Sequence, residues 1–180
     1  MSDRLSIAGD ENGWQVFSKT PKGGGLKLLF RSRAGWPSVR AYSLENPMMR
    51  LHCVLRADQV RDDGMPRSTK DLDDYEDRLL AALKAADVEV YFVASVTGAG
   101  SRDLYFTARD LDDLGAGINA ARLASVDTFK IHLAPLKGKD EFLDFLSLSA
   151  EEVQAAAAAG RVHDIATLGG GGFLRKLFGR

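Results

Sequence analysis

The stretch VEVYFVASVTGAGSRDLYFTAR, residues Val88 to Arg109, decides how the chain is built. Val88, Val90, Phe92, Ala94 and Val96 alternate with other residues, the period of a strand with one buried face. Gly98-Ala99-Gly100 is a tight connection, and Leu104, Phe106 and Ala108 again share a face beyond it. Two alternating runs joined by so short a glycine-containing link predict a β-hairpin.

Outward from this hairpin the pattern is symmetrical. On its N-terminal side, Met49 to Arg56 alternates, with Met49, Leu51, Cys53 and Leu55 on one face. A polar loop follows, and a helix is expected to open near Ser68, with Asp71 completing a capping box. Leu72, Tyr75, Leu79, Leu83 and Ala86 recur at helical spacing. On the C-terminal side, Asp110 is placed to cap a second helix with the stripe Leu111, Leu114, Ile118 and Ala121. Phe129, Ile131 and Leu133 then mark a last strand ending near Pro135.

The order strand, helix, strand, strand, helix, strand over Met49 to Leu136 predicts a ferredoxin-like split βαβ core, βαββαβ, in the α+β class. Both helices are expected on one face. Arg50, His52, Val54, Ser95, Tyr105, Thr107, Lys130 and His132 are expected on the uncovered one. Trp14 to Phe17 and Leu26 to Phe30 read as an N-terminal β-hairpin that either covers that face or extends an edge. The segment around Gly35, Trp36 and Pro37 reads as a loop.

The expected organisation is a domain over residues 1–137 and a helical extension over 138–168, with short helices at Lys139 to Leu146 and from Ser149 to the alanine run. A glycine-rich linker with a short basic tail follows over 169–180. In that tail Phe173, Leu174, Leu177 and Phe178 would share one side of a helix too short to be stable alone. They are the candidate interaction tail, with a protein groove ahead of a membrane as its target.

The 180 residues carry 24 Lys plus Arg against 25 Asp plus Glu, a balance that offers nucleic acid no electrostatic footprint. No stretch approaches the roughly 18 apolar residues needed to span a bilayer, and the polar N-terminus lacks an apolar leader core. The expected location is the cytoplasm. Cys53 is the single cysteine and reads as a small core residue.

Asp58 to Asp77 holds eight carboxylates against Arg61, Arg67 and Lys70, which reads as a solvated helix start favoured by the helix dipole. His52 and His132 fall on neighbouring strands and could face each other, but no third ligand has metal-site spacing. The glycine runs lack the context of a phosphate loop, and no nucleophile–base motif is present. No cofactor or metal is expected.

Three spaced motifs carry a resemblance. Asp63-Gly64-Met65-Pro66, then Tyr75-Glu76-Asp77, then Ser95-Val96-Thr97 with Gly100, Arg102, Asp103 and Tyr105 resemble the bacterial family known as domain of unknown function 695. That family shows an Asp-Gly-Leu-Pro-like turn, a helix with a Glu-Asp pair, and a hairpin of the Thr-x-x-Gly-x-Arg-x-x-Tyr kind. The resemblance spans about Trp14 to Leu136. Members sometimes adjoin a domain like the regulator of ribonuclease activity B, also ferredoxin-like, which implies a regulatory role by analogy.

The motif residues Asp63, Asp77, Arg102 and Tyr105 are therefore the candidate ligand site or structural clamp, with Arg102 expected to pair with an acidic residue of the Asp63 to Asp77 segment. The expected function is a non-enzymatic interaction or regulatory module of bacterial type, with a protein partner or a homo-oligomer. Two alternatives stand beside it. One is a small-ligand or anion-binding domain centred on Arg102 and Tyr105; the other is an unrecognised hydrolase using Asp63, Asp77 and a histidine.

Overall fold

The computed structural model describes residues 15–19, 27–33, 37–86, 89–122 and 129–147. Trp14, the second C-terminal helix expected from Ser149 and the tail with Phe173, Leu174, Leu177 and Phe178 lie outside the described residues.

The strands are β1 (Gln15–Lys19), β2 (Leu28–Ser32), β3 (Met48–Leu55), β4 (Val90–Gly98), β5 (Ser101–Ala108) and β6 (Phe129–Pro135). They form one sheet in the order β1-β2-β4-β5-β3-β6, every neighbouring pair antiparallel. The β4–β5 hairpin closes through Ala99 and Gly100, both at positive φ (52° and 78°), the conformation that a tight hairpin turn demands. The N-terminal hairpin extends the sheet at the β4 edge, Phe30 pairing with Val96, rather than lying over a face.

One face of the sheet is covered by α2 (Lys70–Ala85) and α3 (Leu111–Arg122). Leu72, Tyr75, Leu79 and Leu83 of α2 and Leu114 and Ile118 of α3 are buried against Leu51, Phe92, Leu104 and Phe106, with Ile131 packed alongside. Phe92 and Phe106, cross-strand partners, stack with ring centroids 5.0 Å apart. Asp110 caps α3 by accepting the Asp112 amide at 2.8 Å. The expected capping box at the start of α2 is not formed: Thr69 occupies the N-cap, and the Ser68 hydroxyl accepts from the amide of Lys70 instead.

The opposite face differs from expectation. A helix, α1 (Pro37–Glu45), stands where a loop was expected. Together with α4 (Lys139–Ser147) it buries Val39, Phe142 and Leu143 against Leu28, Phe30, Val93, Val96 and Tyr105. Tyr105 and Thr107 are therefore fully buried rather than displayed on an open face. Helix α4 belongs to the domain core and does not begin an extension at 138. Phe142 lies 4.3 Å from the Tyr105 ring, and Lys139 donates to the carbonyls of Ser43, Leu44 and Asn46 at the end of α1. A cation there satisfies acceptors that no turn of helix follows to bond.

The alternation in β4 is also broken. Between Phe92 and Ala94 the pairing with β5 shifts by one residue, a β-bulge. Val90 and Phe92 face α2 and α3, whereas Ala94 and Val96 face α1 and α4. The same shift carries Ser95 to the α2 side, away from the face on which it was expected.

Candidate functional site

Arg102 sits on β5 opposite Cys53 of β3 and Thr97 of β4, so its side chain rises on the face that α2 covers. Its Nε donates to Thr97 Oγ1 at 3.0 Å and its Nη1 to Asp73 Oδ1 at 2.6 Å, with Glu76 Oε2 at 3.5 Å. Arg31 of β2 hydrogen-bonds the other oxygen of Glu76, and its guanidinium lies 5.3 Å from the Phe92 ring centroid. Two arginines from separate strands thus converge on one glutamate of α2 whose side chain is only 7% exposed. Burial of this kind is tolerated when opposite charges and hydrogen bonds replace water. Burial raises the pKa of Asp73, but hydrogen bonds from Arg102 and Thr69 and the charges of Arg102 and Arg31 outweigh it and hold the carboxyl below its usual value.

Asp63 and Asp77 are not in this cluster. Asp63 accepts the Met65 amide at 3.0 Å, holding the turn, and pairs with Arg61, while Asp77 is exposed on α2. Tyr105, three residues beyond Arg102 on the same strand, falls on the other face. An anion site centred on Arg102 and Tyr105 is therefore not assembled, because the sheet lies between them. Nor, among the described residues, is a hydrolase site of Asp63, Asp77 and a histidine: Asp77 belongs to α2, and His52 and His132 belong to the face that α2 does not cover.

The motif residues meet in a different way. The Gly100 amide donates to the Gly64 carbonyl at 2.9 Å, and the Lys27 amide donates to the Asp63 carbonyl at 2.7 Å. With Glu76 held by Arg102, the turn, the helix and the hairpin of the three motifs are tied to one another. Their geometry is that of a structural clamp.

A second polar group occupies the other face. Asp103 pairs across the sheet with His52, and the His52 Nδ1 hydrogen-bonds Asp103 Oδ1. Arg50 Nε stands 3.9 Å from the same oxygen, and the Tyr105 hydroxyl donates to Oδ2 at 3.4 Å. Burial, and then the charge of Asp103, push the Tyr105 hydroxyl's pKa well above its ordinary value. His132 of β6 is the direct partner of His52, with ring centroids 6.3 Å apart. Among the described residues no group of three or more metal-ligating side chains is gathered. A buried carboxylate on one imidazole nitrogen orients the ring and presents its other nitrogen, a geometry suited to hydrogen bonding or proton exchange with a ligand. Asp103 was named from sequence only in the motif with Arg102 and Tyr105; its pairing with His52 was missed, although its two-residue offset from Tyr105 places it on this face.

Cys53 is buried and its thiol is pushed up to about 12, by burial first and then by the charges of Asp103 and Glu76. That leaves it a core residue rather than a nucleophile.

The third feature is backbone. The Leu136 amide donates to the Met48 carbonyl at 2.8 Å, and the pairing of β3 with β6 runs without a shift from there. Alternation then directs the peptide groups of Lys130, His132 and Ala134 toward β3, and those of Phe129, Ile131 and Leu133 away from it. Leu133 is 40% exposed, and β6 has no second neighbour among the described residues. Pro135 stands at an outward position, where its missing N–H removes no bond to β3.

Comparison with known protein families, characterised proteins and solved structures returned no match for this chain.

Proposed function

We propose that the chain is a non-enzymatic interaction or regulatory module of bacterial type, built on a ferredoxin-like βαββαβ core. The strand order β6-β3-β5-β4, with α2 and α3 sharing one face, supports that reading of the core. The tie between Gly64 and Gly100 and the ion pairs of Arg102 support the resemblance to the domain of unknown function 695, whose three motifs then serve the fold.

The observation that carries the interaction reading is the β6 edge. Outward peptide groups at Ile131 and Leu133, beside an exposed leucine, are what strand addition by a protein partner uses. The tail residues Phe173, Leu174, Leu177 and Phe178 remain a second candidate contact on the sequence argument. The test is capture of partners from a bacterial extract with the wild-type chain and with Leu133→Lys. A partner recovered by the first and lost with the second supports the edge as the contact; equal recovery by both removes it.

A second reading has its own observation. Partly exposed His52, hydrogen-bonded to buried Asp103 and facing His132, makes this face the better place for a small ligand than Arg102 with Tyr105. Nuclear magnetic resonance of the two imidazoles during titration with inorganic phosphate checks it: no shift at either ring removes an anion as the ligand.

A further inference from the structure

The β6 edge is self-complementary. We propose that its occupant is a second copy of this chain, joined by antiparallel β6–β6 pairing about a two-fold axis at His132. This rests on the interaction reading above and names the partner.

The register centred on His132 uses the whole of β6, Phe129 facing Pro135 of the second copy and Ile131 facing Leu133. Ile131 and Leu133 carry outward N–H and C=O groups, so each exchanges both hydrogen bonds with its counterpart, the close pairing of an antiparallel ladder. Pro135, which lacks an N–H, falls opposite Phe129 and accepts from the Phe129 amide. The single absent donor therefore lies at the end of the ladder and not in its middle.

The side chains agree with the register. Ile131 and Leu133 project on the α2 and α3 side, where Ile131 already packs beside the core and Leu133 is 40% exposed. Pairing brings the two residues from each copy together and covers Leu133. On the other face Lys130 meets Ala134 of the second copy, so no lysine is set against a lysine. A contact made by one strand from each copy is small, and it gives an association that depends on concentration over roughly 10 µM to 1 mM.

The experiment is sedimentation velocity on the full chain across that range, with backbone amide hydrogen exchange at its two ends. The expected result is a monomer that becomes a dimer as concentration rises, with the Ile131 and Leu133 amides exchanging about tenfold slower in the dimer. Leu133→Pro removes an outward donor without touching the bonds to β3, and Leu133→Lys places like charges in the pairing; both should abolish the dimer. If Leu133→Pro does not fold, Leu133→Lys and the wild-type exchange rates decide. A monomer at every concentration, a dimer unchanged in the Leu133 variants, or unprotected Ile131 and Leu133 amides in the dimer would each overturn self-pairing. A chain that stays monomeric yet loses a captured partner with Leu133→Lys overturns self-pairing alone and leaves the interaction reading standing. If neither dimerisation nor capture depends on Leu133, both readings of this edge fall.

Discussion

Arg102 and Tyr105 lie three residues apart on one strand and on opposite faces of the sheet, Arg102 bonded to Asp73 of α2 and Tyr105 packed on Phe142 of α4. The strand thus anchors two separate helical layers with two polar residues. Each layer can be tested on its own.

Removing Arg102 should damage the α2 side. Arg102→Ala removes the hydrogen bonds to Asp73 and Thr97 and one of the two cations beside buried Glu76. A loss of about 2–4 kcal/mol is expected in urea unfolding, since most of the effect is a poorly compensated buried charge. Adding Glu76→Gln should recover part of it. If the double variant is as unstable as the sum of the single ones, the coupling is absent.

The acid limb of the stability curve should contain Asp73. Its carboxyl sits below the ordinary value of 3.8 in the folded protein, so the unfolded chain binds that proton more tightly. The stabilisation is present above the ordinary value and is lost as pH falls through the lower folded one. With the side chain 53% exposed, the effect is about 1 kcal/mol or less. The stability gap between wild type and Asp73→Asn should therefore narrow as pH drops from 7 to about 3, and a constant gap would contradict this assignment.

Gly98 has no tolerance for a side chain. Its φ is +145°, and a Cβ there would stand 2.1 Å from the carbonyl oxygen of Lys27. Gly98→Ala should lose about 2–4 kcal/mol, from backbone strain together with displacement of the chain entering β2. Gly100→Ala, at φ +78° with Val60 no nearer than 3.6 Å, should cost less, about 1–2 kcal/mol. Chemical unfolding of the two variants side by side checks the order.

Phe142→Ala tests whether α4 belongs to the domain. The side chain is buried against Tyr105 in the second core cluster, and its truncation should cost about 3–5 kcal/mol. Lys139→Met, which strips the cation from the three carbonyls at the end of α1 and just beyond it, should cost about 1 kcal/mol. A near-neutral Phe142→Ala would return α4 to the status of an appendage.

Much of the architecture is local information. The alternation of Met49, Leu51 and Cys53, the stripe of Leu72, Tyr75, Leu79 and Leu83, and the Gly98-Ala99-Gly100 link define elements through their own periods, because burial of one face selects period 2 or 3.6. The same period implies the opposite facing of Arg102 and Tyr105, since an odd separation in a regular strand reverses the face, yet the sequence reading joined the two in one candidate site. By contrast, α1 was hidden. Only Val39 and Ser43 among its described residues are fully buried, so its apolar stripe is too thin to read, and Pro37 at its first turn was the available signal.

Other features depended on neighbours far away in sequence. The bulge between Phe92 and Ala94 reverses half of a strand that is buried along its whole length, and the apparent alternation of Val90, Phe92, Ala94 and Val96 runs straight through it without revealing it. The choice of Asp73 and Glu76 over Asp63 and Asp77 as partners of Arg102 came from the position of α2 on the sheet, not from charge, which all four share. The joining of Asp103 to His52, and of His52 to His132, required β5, β3 and β6 to be laid side by side. Sequence determined the elements through periodicity, which is a property of each segment alone. Only the tertiary structure decided which polar groups meet, because pairing register and layer packing are set by the whole chain at once.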